Sequence, residues 1–235
     1  MKRELLVAML PFYLLAVIIF VGIAKAGSDA VTAISQNLPP EREHTVIIDP
    51  GHGGIDGGAT SCTGVLESGI NLEIALRLND LVRFLGYETV MIRTTDTSIY
   101  TEGNTIAAQK ISDLKERVRI VNDASRGVLV SIHQNTFSDS RYGGAQVFYA
   151  NTDGSKDLAN AIQTAFVGTL NHGSKRTCKK STGIYLMEHI RATGVLIECG
   201  FLSNPTEEAK LRSRDYQQKL CIVISASLSE YLSNT

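Results

Sequence analysis

Two histidines and two glutamates of this 235-residue chain stand where a hydrolytic metal site can form. His52 follows the apolar run 46–48, His133 and Glu198 each end a further apolar run, and Glu67 stands just before the first long helical pattern. Two imidazoles and one carboxylate form the ligand set of many catalytic zinc sites, which leave the fourth position open for water. A second glutamate beside such a water can accept its proton and pass it to a leaving amine.

Each of these side chains also has an ordinary structural explanation. A single histidine in an α/β protein is usually a hydrogen-bonded structural group or a surface residue, and this explanation is kept for His44, His172 and His189. A lone glutamate before a helix is usually a solvated charge that the helix dipole favours. Glu198 is harder to explain in this way, because a carboxylate after the apolar run 195–197 is expected to be largely buried. The convergence of all four residues favours a metal site.

The glycine-rich segment 51–60, GHGGIDGGAT, resembles a phosphate-binding loop but fits neither common pattern. The dinucleotide pattern G-x-G-x-x-G fails because Asp56 stands at its third glycine, and the P-loop pattern fails because Ala59 stands where a lysine is required. The glycines are instead expected to let the backbone turn tightly under His52 and to leave space for a bulky substrate. Asp49 or Asp56 could orient His52, and for Asp49 a role as a turn residue is an equal alternative.

Apolar runs alternate with helical patterns from residue 44 onward, and this order predicts the elements that position the candidate residues. The predicted strands are Thr45–Asp49, Glu88–Arg93, Val128–His133, Gln146–Ala150, Ile184–Met187 and Val195–Glu198. The predicted helices are Ser68–Leu85, Ser112–Ala124, Ser155–Leu170, Thr206–Leu211 and Asp215–Leu232, the first capped by Ser68 and ended by Gly86. The alternation predicts a single α/β domain with a twisted, mostly parallel or mixed β-sheet and helices on both faces. In such sheets ligands collect at the carboxyl ends of the strands.

The first 26 residues differ from the rest of the chain. A basic start, an uncharged apolar run over residues 5–24 and the sequence Ala24-Lys25-Ala26 are typical of a secretory signal peptide. The run of about twenty residues is also long enough for an uncleaved membrane anchor. Both alternatives place the remainder outside the cytoplasm. The predicted organisation is a signal peptide or anchor over residues 1–26, a linker over 27–43 and a catalytic domain over 44–235.

Composition excludes several classes of function. A hydrophobic content of 43% with 20% charged residues is typical of a globular protein, and a net charge of -1 argues against nucleic acid as a partner. A secreted serine hydrolase is disfavoured because no G-x-S-x-G elbow occurs. The four cysteines contain no close pair for a metal or redox motif. Cys199 and Cys221 lie in apolar runs and are expected to be buried thiols, whereas pairing of Cys62 with Cys178 stays open.

Five short motifs in a fixed order resemble the zinc-dependent N-acetylmuramoyl-L-alanine amidases of the amidase-3 family over about residues 44–235. They are IDPGHGG, Glu67 fifteen residues after His52, RTTD with the downstream LKERVRIVN, SIHQN, and ECGFLSN. The resemblance implies that His52, Glu67 and His133 bind one zinc ion per chain and that Glu198 is the catalytic acid/base. Within the family, the short form with a leader, a brief linker and one catalytic domain resembles the spore-cortex, germination-related amidases of the CwlD type.

The resemblance implies hydrolysis of the amide between N-acetylmuramic acid and L-alanine in peptidoglycan, with a role in cortex modification, muramic-lactam formation and germination. Such an enzyme acts outside the cytoplasm, either secreted or attached to the membrane through residues 5–24. Because the net charge is small and the linker is short, an exported protein or lipoprotein is expected to position or activate it. The alternative, from another class, is a catalytically inactive peptidoglycan-binding or scaffolding protein with the same fold.

Overall fold

Six strands form one mixed sheet in the part of the chain that the computed structural model describes, residues 43–235 and Lys25. They are β1 (Thr45–Pro50), β2 (Glu88–Met91), β3 (Gly127–Asn135), β4 (Gln146–Tyr149), β5 (Lys179–Lys180) and β6 (Thr193–Phe201). Their order is β2-β1-β3-β6-β4-β5, with β2, β1, β3 and β6 parallel and β4 antiparallel to β6. The predicted α/β domain with a mostly parallel, mixed sheet is confirmed.

The predicted leader and linker lie outside the described residues, apart from Lys25 and Glu43. Their assignment as signal peptide, membrane anchor and linker therefore stays a prediction. Within the described part of the chain, no helix is both long enough and apolar enough to cross a bilayer.

Helices cover both faces of the sheet, as predicted. They are α1 (Glu67–Phe84), α2 (Ile106–Asp123), α3 (Ser155–Thr169), α4 (Tyr185–His189), α5 (Pro205–Leu211) and α6 (Arg214–Leu232). Side chains of β3 alternate between the two faces, as strand geometry requires. Val128, Val130 and Ile132 join the core beneath α1, α3 and α6, whereas Leu129 joins a smaller core beneath α2 and α4. His133 shares the face of Leu129, so the candidate site lies on the side of α2 and α4.

Two sequence-based element assignments are wrong and one strand was missed. Residues 184–187 are not a strand, because Tyr185–His189 form α4 and bury Leu186 and Met187. A short apolar run fits a buried strand and a buried helix equally well. The second helix begins at Ile106 rather than at Ser112. It is capped by Thr105, whose side chain accepts a hydrogen bond from the Ala108 amide. The two-residue strand β5 has only lysines and carries no apolar signal.

Ser68 does not cap α1, which begins one residue earlier, at Glu67. The amides of Glu67 and Ser68 donate to the carbonyls of Ala59 and Gly57, at 2.9 and 3.1 Å. The glycine-rich loop therefore satisfies the free amides at the start of the helix, and no side-chain cap is needed. At the other end, Gly86 has a φ of 87° and ends the helix in the left-handed conformation, as predicted.

The two cysteines that were expected to be buried thiols are buried. Cys199 and Cys221 are buried in the core beneath α1, α3 and α6. Cys62 is exposed and Cys178 is half-buried, and none of the four forms a disulfide within residues 43–235.

A buried arginine on the segment after β2 fixes the loop that follows β1. Arg93 is 4% exposed and donates to the carbonyl oxygens of Pro50, Gly51 and Ser68, each at 2.9 Å. These carbonyls belong to two segments, the His52 loop and the first turn of α1. The arginine of the RTTD motif therefore ties the segments that carry His52 and Glu67 to each other.

A second buried arginine, Arg117 of α2, holds the same loop from the other side. It contacts the Asp49 carboxylate, donates to Asp113 at 2.6 Å, and donates to the carbonyl of His52 at 2.8 Å. Asp49 also accepts a hydrogen bond from Ser131 at 2.6 Å. Although burial alone would raise the pKa of Asp49, Arg117 and Ser131 hold it below its ordinary value. Asp49 is thus part of a buried ion pair, so neither role proposed for it from the sequence describes it.

Candidate active site

The four candidate residues meet at the carboxyl edge of the central strands. His52 lies two residues after β1, and His133 of β3 is paired in register with Glu198 of the neighbouring β6. Residues paired in register project from the same face of a sheet. Glu67, the first residue of α1, completes the group. One ligand atom from each of His52, Glu67 and His133 lies within 4.8 Å of the other two, close enough to share one metal ion.

The Glu67 carboxylate is the centre of this group, and it is almost fully buried, with 3% of its surface exposed. One of its oxygens lies 3.0 Å from His133 Nδ1, and the other lies 3.3 Å from His52 Nε2. The backbone amides of Gln134 and Ala59 donate to the same two oxygens, at 3.0 and 2.9 Å. Asn71 Nδ2 also donates to the first oxygen at 3.1 Å, so five partners fix the carboxylate between the two imidazoles.

Asp56 and Lys110 orient the His52 ring. His52 Nδ1 lies 2.9 Å from Asp56 Oδ2, and Lys110 Nζ donates to the other oxygen of Asp56 at 2.8 Å. A carboxylate on one ring nitrogen fixes the tautomer and leaves the other nitrogen free for a metal. Of the two aspartates considered from the sequence, Asp56 is therefore the one that contacts His52. Lys110 was missed, because a single lysine on a helix far along the chain carries no pattern that connects it to the loop.

Two glycines of the loop make room for the candidate ligands. A Cβ atom at Gly51 would lie 2.2 Å from His133 Nε2, and one at Gly58 would lie 2.6 Å from Glu67 Oε2. Neither separation is possible between non-bonded atoms, so any side chain at these positions would displace the ligand. His52 itself has a φ of 62°, a left-handed conformation that is uncommon for a residue with a side chain. The expected tight turn is present. The glycines are required in it because they lie too close to His133 and Glu67 to carry a side chain.

Two carboxylates set the protonation state of His52 in the metal-free chain. Burial alone would lower the pKa of His52, but the carboxylates of Glu67 and Asp56 outweigh it and raise the pKa to about 9. Burial would raise the pKa of Glu67, but His133 and His52 hold it well below its ordinary value. Without metal, the pair is therefore a protonated His52 beside an ionised Glu67.

Zinc affinity should rise with pH up to about 9, because a metal must displace the proton from His52. We expect an increase of about tenfold per pH unit for each proton displaced, levelling off above that pKa. Competition with a chelating dye at several pH values measures the slope. An affinity that does not change with pH would contradict this account of His52.

Glu198 differs from Glu67 in that one of its oxygens has no partner. Its side chain is half-buried, less than the sequence suggested, but Oε2 is fully enclosed and accepts no hydrogen bond from any described residue. Burial raises the pKa of Glu198 to about 7; nearby Glu67 adds to this effect, and His133 and His52 oppose it. A buried carboxylate that lacks a partner and titrates near neutrality is a candidate proton carrier.

These residues fit a zinc ion by the chemistry of their donors. Two imidazoles and one carboxylate match the donor set of catalytic zinc, and His52 and Glu67 are each held by further groups of the protein. The enclosed oxygen of Glu198 also needs a polar partner, since buried polar atoms are rarely left without one. A site completed by a metal ion and a water would provide that partner.

The remaining histidines lie outside this group. His189 donates or accepts through Nδ1 at the carbonyl of Tyr185, 2.8 Å away, and its ring stacks on the Tyr185 ring at 3.9 Å. His172 is exposed and His44 is half-buried, and neither joins the candidate metal group. Their structural or surface role, expected from the sequence, is retained.

Comparison with known proteins identifies the family. The profile of the N-acetylmuramoyl-L-alanine amidase family matches residues 46–230. The germination-specific N-acetylmuramoyl-L-alanine amidase of Bacillus subtilis is 35% identical over 190 residues, which cover 80% of this chain and 79% of that protein. The N-acetylmuramoyl-L-alanine amidase LytC of the same organism is 29% identical over 215 residues, which cover 90% of this chain and 40% of LytC.

Solved structures of amidases are similar to this chain. The CwlD amidase from Clostridioides difficile, in complex with the GerS lipoprotein, has a TM-score of 0.77 and 38% identity over 81% of this chain and 99% of that one. The catalytic domain of the amidase CwlV from Bacillus (Paenibacillus) polymyxa var. colistinus has a TM-score of 0.68 and 29% identity, covering 82% of this chain and 99% of that one. The chain therefore belongs to the N-acetylmuramoyl-L-alanine amidase family, and amidases of the CwlD type are among its relatives.

Proposed function

We propose that this peptidoglycan amidase uses one zinc ion, held by His52, Glu67 and His133, to cleave the amide between N-acetylmuramic acid and L-alanine. Family membership supports the amidase reaction itself. The observation that carries the zinc assignment is the convergence of one atom from each of these three side chains within 4.8 Å.

In this proposal Glu198 moves the proton. Zinc bound at such a site supplies a Lewis acid that polarises the scissile carbonyl and acidifies a water molecule. The enclosed oxygen of Glu198, which has no partner among the described residues, accepts a proton from the attacking water. Glu198 then donates that proton to the amide nitrogen as the carbon–nitrogen bond breaks, so the peptide leaves as a neutral amine. Asp56 and the amides of Ala59 and Gln134 hold His52 and Glu67 in place.

The alternative, an inactive peptidoglycan-binding or scaffolding protein, is disfavoured by the same geometry. A chain selected only for binding has no need for a buried Glu67 fixed by five partners between two histidines. It also has no need to keep the enclosed, unpartnered oxygen of Glu198, which costs stability.

The test is release of new amino groups from purified peptidoglycan by the full chain, with zinc content measured in the same sample. We expect about one zinc per active chain, loss of activity on chelation and recovery when zinc is added back. The melting temperature should fall on chelation without loss of the fold, since the ligands lie on three segments of a large domain. Full activity in metal-free protein would contradict the zinc assignment, and no cleavage by the zinc-loaded chain would favour the binding role.

The proposal extends to the spore cortex, with muramic-lactam formation as the physiological outcome and an exported protein or lipoprotein as partner. It is supported by a relative named as germination-specific and by a CwlD structure that contains the GerS lipoprotein. The substrate places the enzyme outside the cytoplasm, secreted or attached through residues 5–24. Sporulating cells that carry only a tagged Glu198→Gln chain should make cortex without muramic lactam, and the tag should recover an exported protein. Normal lactam content would contradict the cortex role, and recovery of the chain alone would contradict the partner.

A further inference from the structure

A cavity of about 300 Å³ opens directly beside the candidate metal group, between the His52 loop, α2 and α4. His52 and His133 line one end of it. Leu114 of α2 and Ile184 and Leu186 at α4 form apolar walls. Because the cavity adjoins the candidate site, the part of the substrate that fills it should be only a few covalent bonds away from the bond that is cleaved.

The charged residues around this cavity are already paired with one another. Lys110 lies 2.8 Å from Asp56, and Arg117 contacts both Asp49 and Asp113. Beyond the candidate metal group, the three carboxylates that line the cavity, Asp49, Asp56 and Asp113, thus outnumber the two cationic side chains. A further carboxylate that entered this part of the cavity would be buried without a counter-charge, which is costly. The peptide stems of peptidoglycan carry carboxylates, whereas the sugar ring of N-acetylmuramic acid is neutral. The charge pattern favours the sugar.

The size and lining of the cavity lead to the same occupant. Its volume is at the lower end of the range for ligand pockets, roughly 300–1,000 Å³, which is suited to a single sugar ring. The acetamido methyl group and the C–H faces of a sugar ring suit the aliphatic walls. Only the lactyl group separates that ring from the scissile carbonyl, so a carbonyl near His52 and His133 places the ring within reach of the cavity.

We propose that this cavity is the subsite for the N-acetylmuramic acid ring on the acyl side of the scissile amide, and that Leu114 is a specificity-determining residue within it. The proposal rests on the amidase function above and adds where the sugar binds. Leu114 faces the cavity on the same side of α2 as Lys110 and Arg117, whereas Ile111 of the same helix is 54% exposed and lies outside the cavity.

The first experiment compares two substrates that share the amide and the peptide. One is N-acetylmuramoyl-L-alanyl-D-isoglutamine, and the other carries a D-lactoyl group without the sugar. Leu114→Phe fills the cavity and should lower kcat/KM for the sugar substrate by about tenfold or more, with little change for the lactoyl substrate. Ile111→Phe, on the outer side of α2 and outside the cavity, should leave both values near those of the unaltered chain. An equal loss on both substrates, or none on either, would overturn the assignment.

A second measurement tests the cavity without catalysis. N-acetylmuramic acid added to the zinc-loaded Glu198→Gln chain should shift the amide NMR signals of Leu114 and Ile184, and Leu114→Phe should weaken this binding at least tenfold. If binding occurs there but no muramoyl peptide is cleaved by the unaltered chain, the subsite stands and the proposed reaction fails. If the chain cleaves the sugar substrate but N-acetylmuramic acid does not perturb these signals, the reaction stands and the subsite is wrong.

Discussion

Replacing Glu198 by glutamine should lower kcat by about 10²–10⁴-fold while the chain keeps its zinc and its melting temperature. Glutamine has nearly the same shape and remains polar, but it cannot accept a proton from the attacking water. Because Oε2 of Glu198 accepts no hydrogen bond from any described residue, the change removes no contact that supports the fold. The rate, the zinc content and thermal unfolding should be measured on one preparation.

Glu230→Gln provides the matched control, since Glu230 is an exposed residue of α6 outside the candidate site. This variant should keep its rate. If Glu198→Gln lost its zinc, Glu198 would be a ligand rather than the proton carrier. If it kept both zinc and a near-normal rate, the proton acceptor would lie elsewhere, and the enclosed carboxylate would need another explanation.

Replacing Glu67 by alanine should remove zinc and activity together. Loss of a group that only orients a ligand typically reduces metal affinity by about 10–100-fold, and loss of a direct ligand should exceed this. The same change leaves the buried amide of Gln134 without its acceptor, which costs about 1–3 kcal/mol, and the partly buried amide of Ala59 loses its acceptor at a smaller cost. We therefore expect a lower melting temperature as well as zinc content far below one per chain, measured by metal analysis after dialysis.

Two further variants separate a lost ligand from a weakened fold. Asp80→Ala removes an exposed carboxylate from the same helix and should change neither zinc content nor rate. Glu67→Gln keeps an oxygen for one of the two amides, so it should recover part of the stability while zinc binding stays weak. Zinc-loaded Glu67→Ala protein with a slow rate would instead make Glu67 the proton carrier and reverse the proposed roles of the two glutamates.

The placement of the site was predictable because it depends on local pattern and a general rule of sheet topology. His52, His133 and Glu198 each follow an apolar run, and the carboxyl ends of parallel strands meet at one edge of a sheet. The structure adds the register that pairs His133 with Glu198. It also shows Glu67 as the first residue of α1, whereas the sequence pattern placed it just before the helix.

The errors and omissions arise where long-range partners decide the outcome. Nothing in the segment around Asp49 indicates that its partner is Arg117, which is supplied by a helix much further along the chain. Ser68 has the side chain of a helix cap, but the amides of Glu67 and Ser68 already donate to the carbonyls of Ala59 and Gly57. The apolar run 184–187 becomes helical because Leu186 and Met187 pack under α2, a contact that periodicity over four residues cannot reveal.

The absence of a side chain at Gly51 means that a single substitution outside the candidate ligands could abolish the activity. A methyl group there would occupy the position of the His133 ring, 2.2 Å from Nε2. One nucleotide change to an alanine codon would thus force the His133 ring out of the candidate metal group. A chain with alanine at this position would therefore still encode His52, Glu67, His133 and Glu198, yet would be expected to lack the three-residue group.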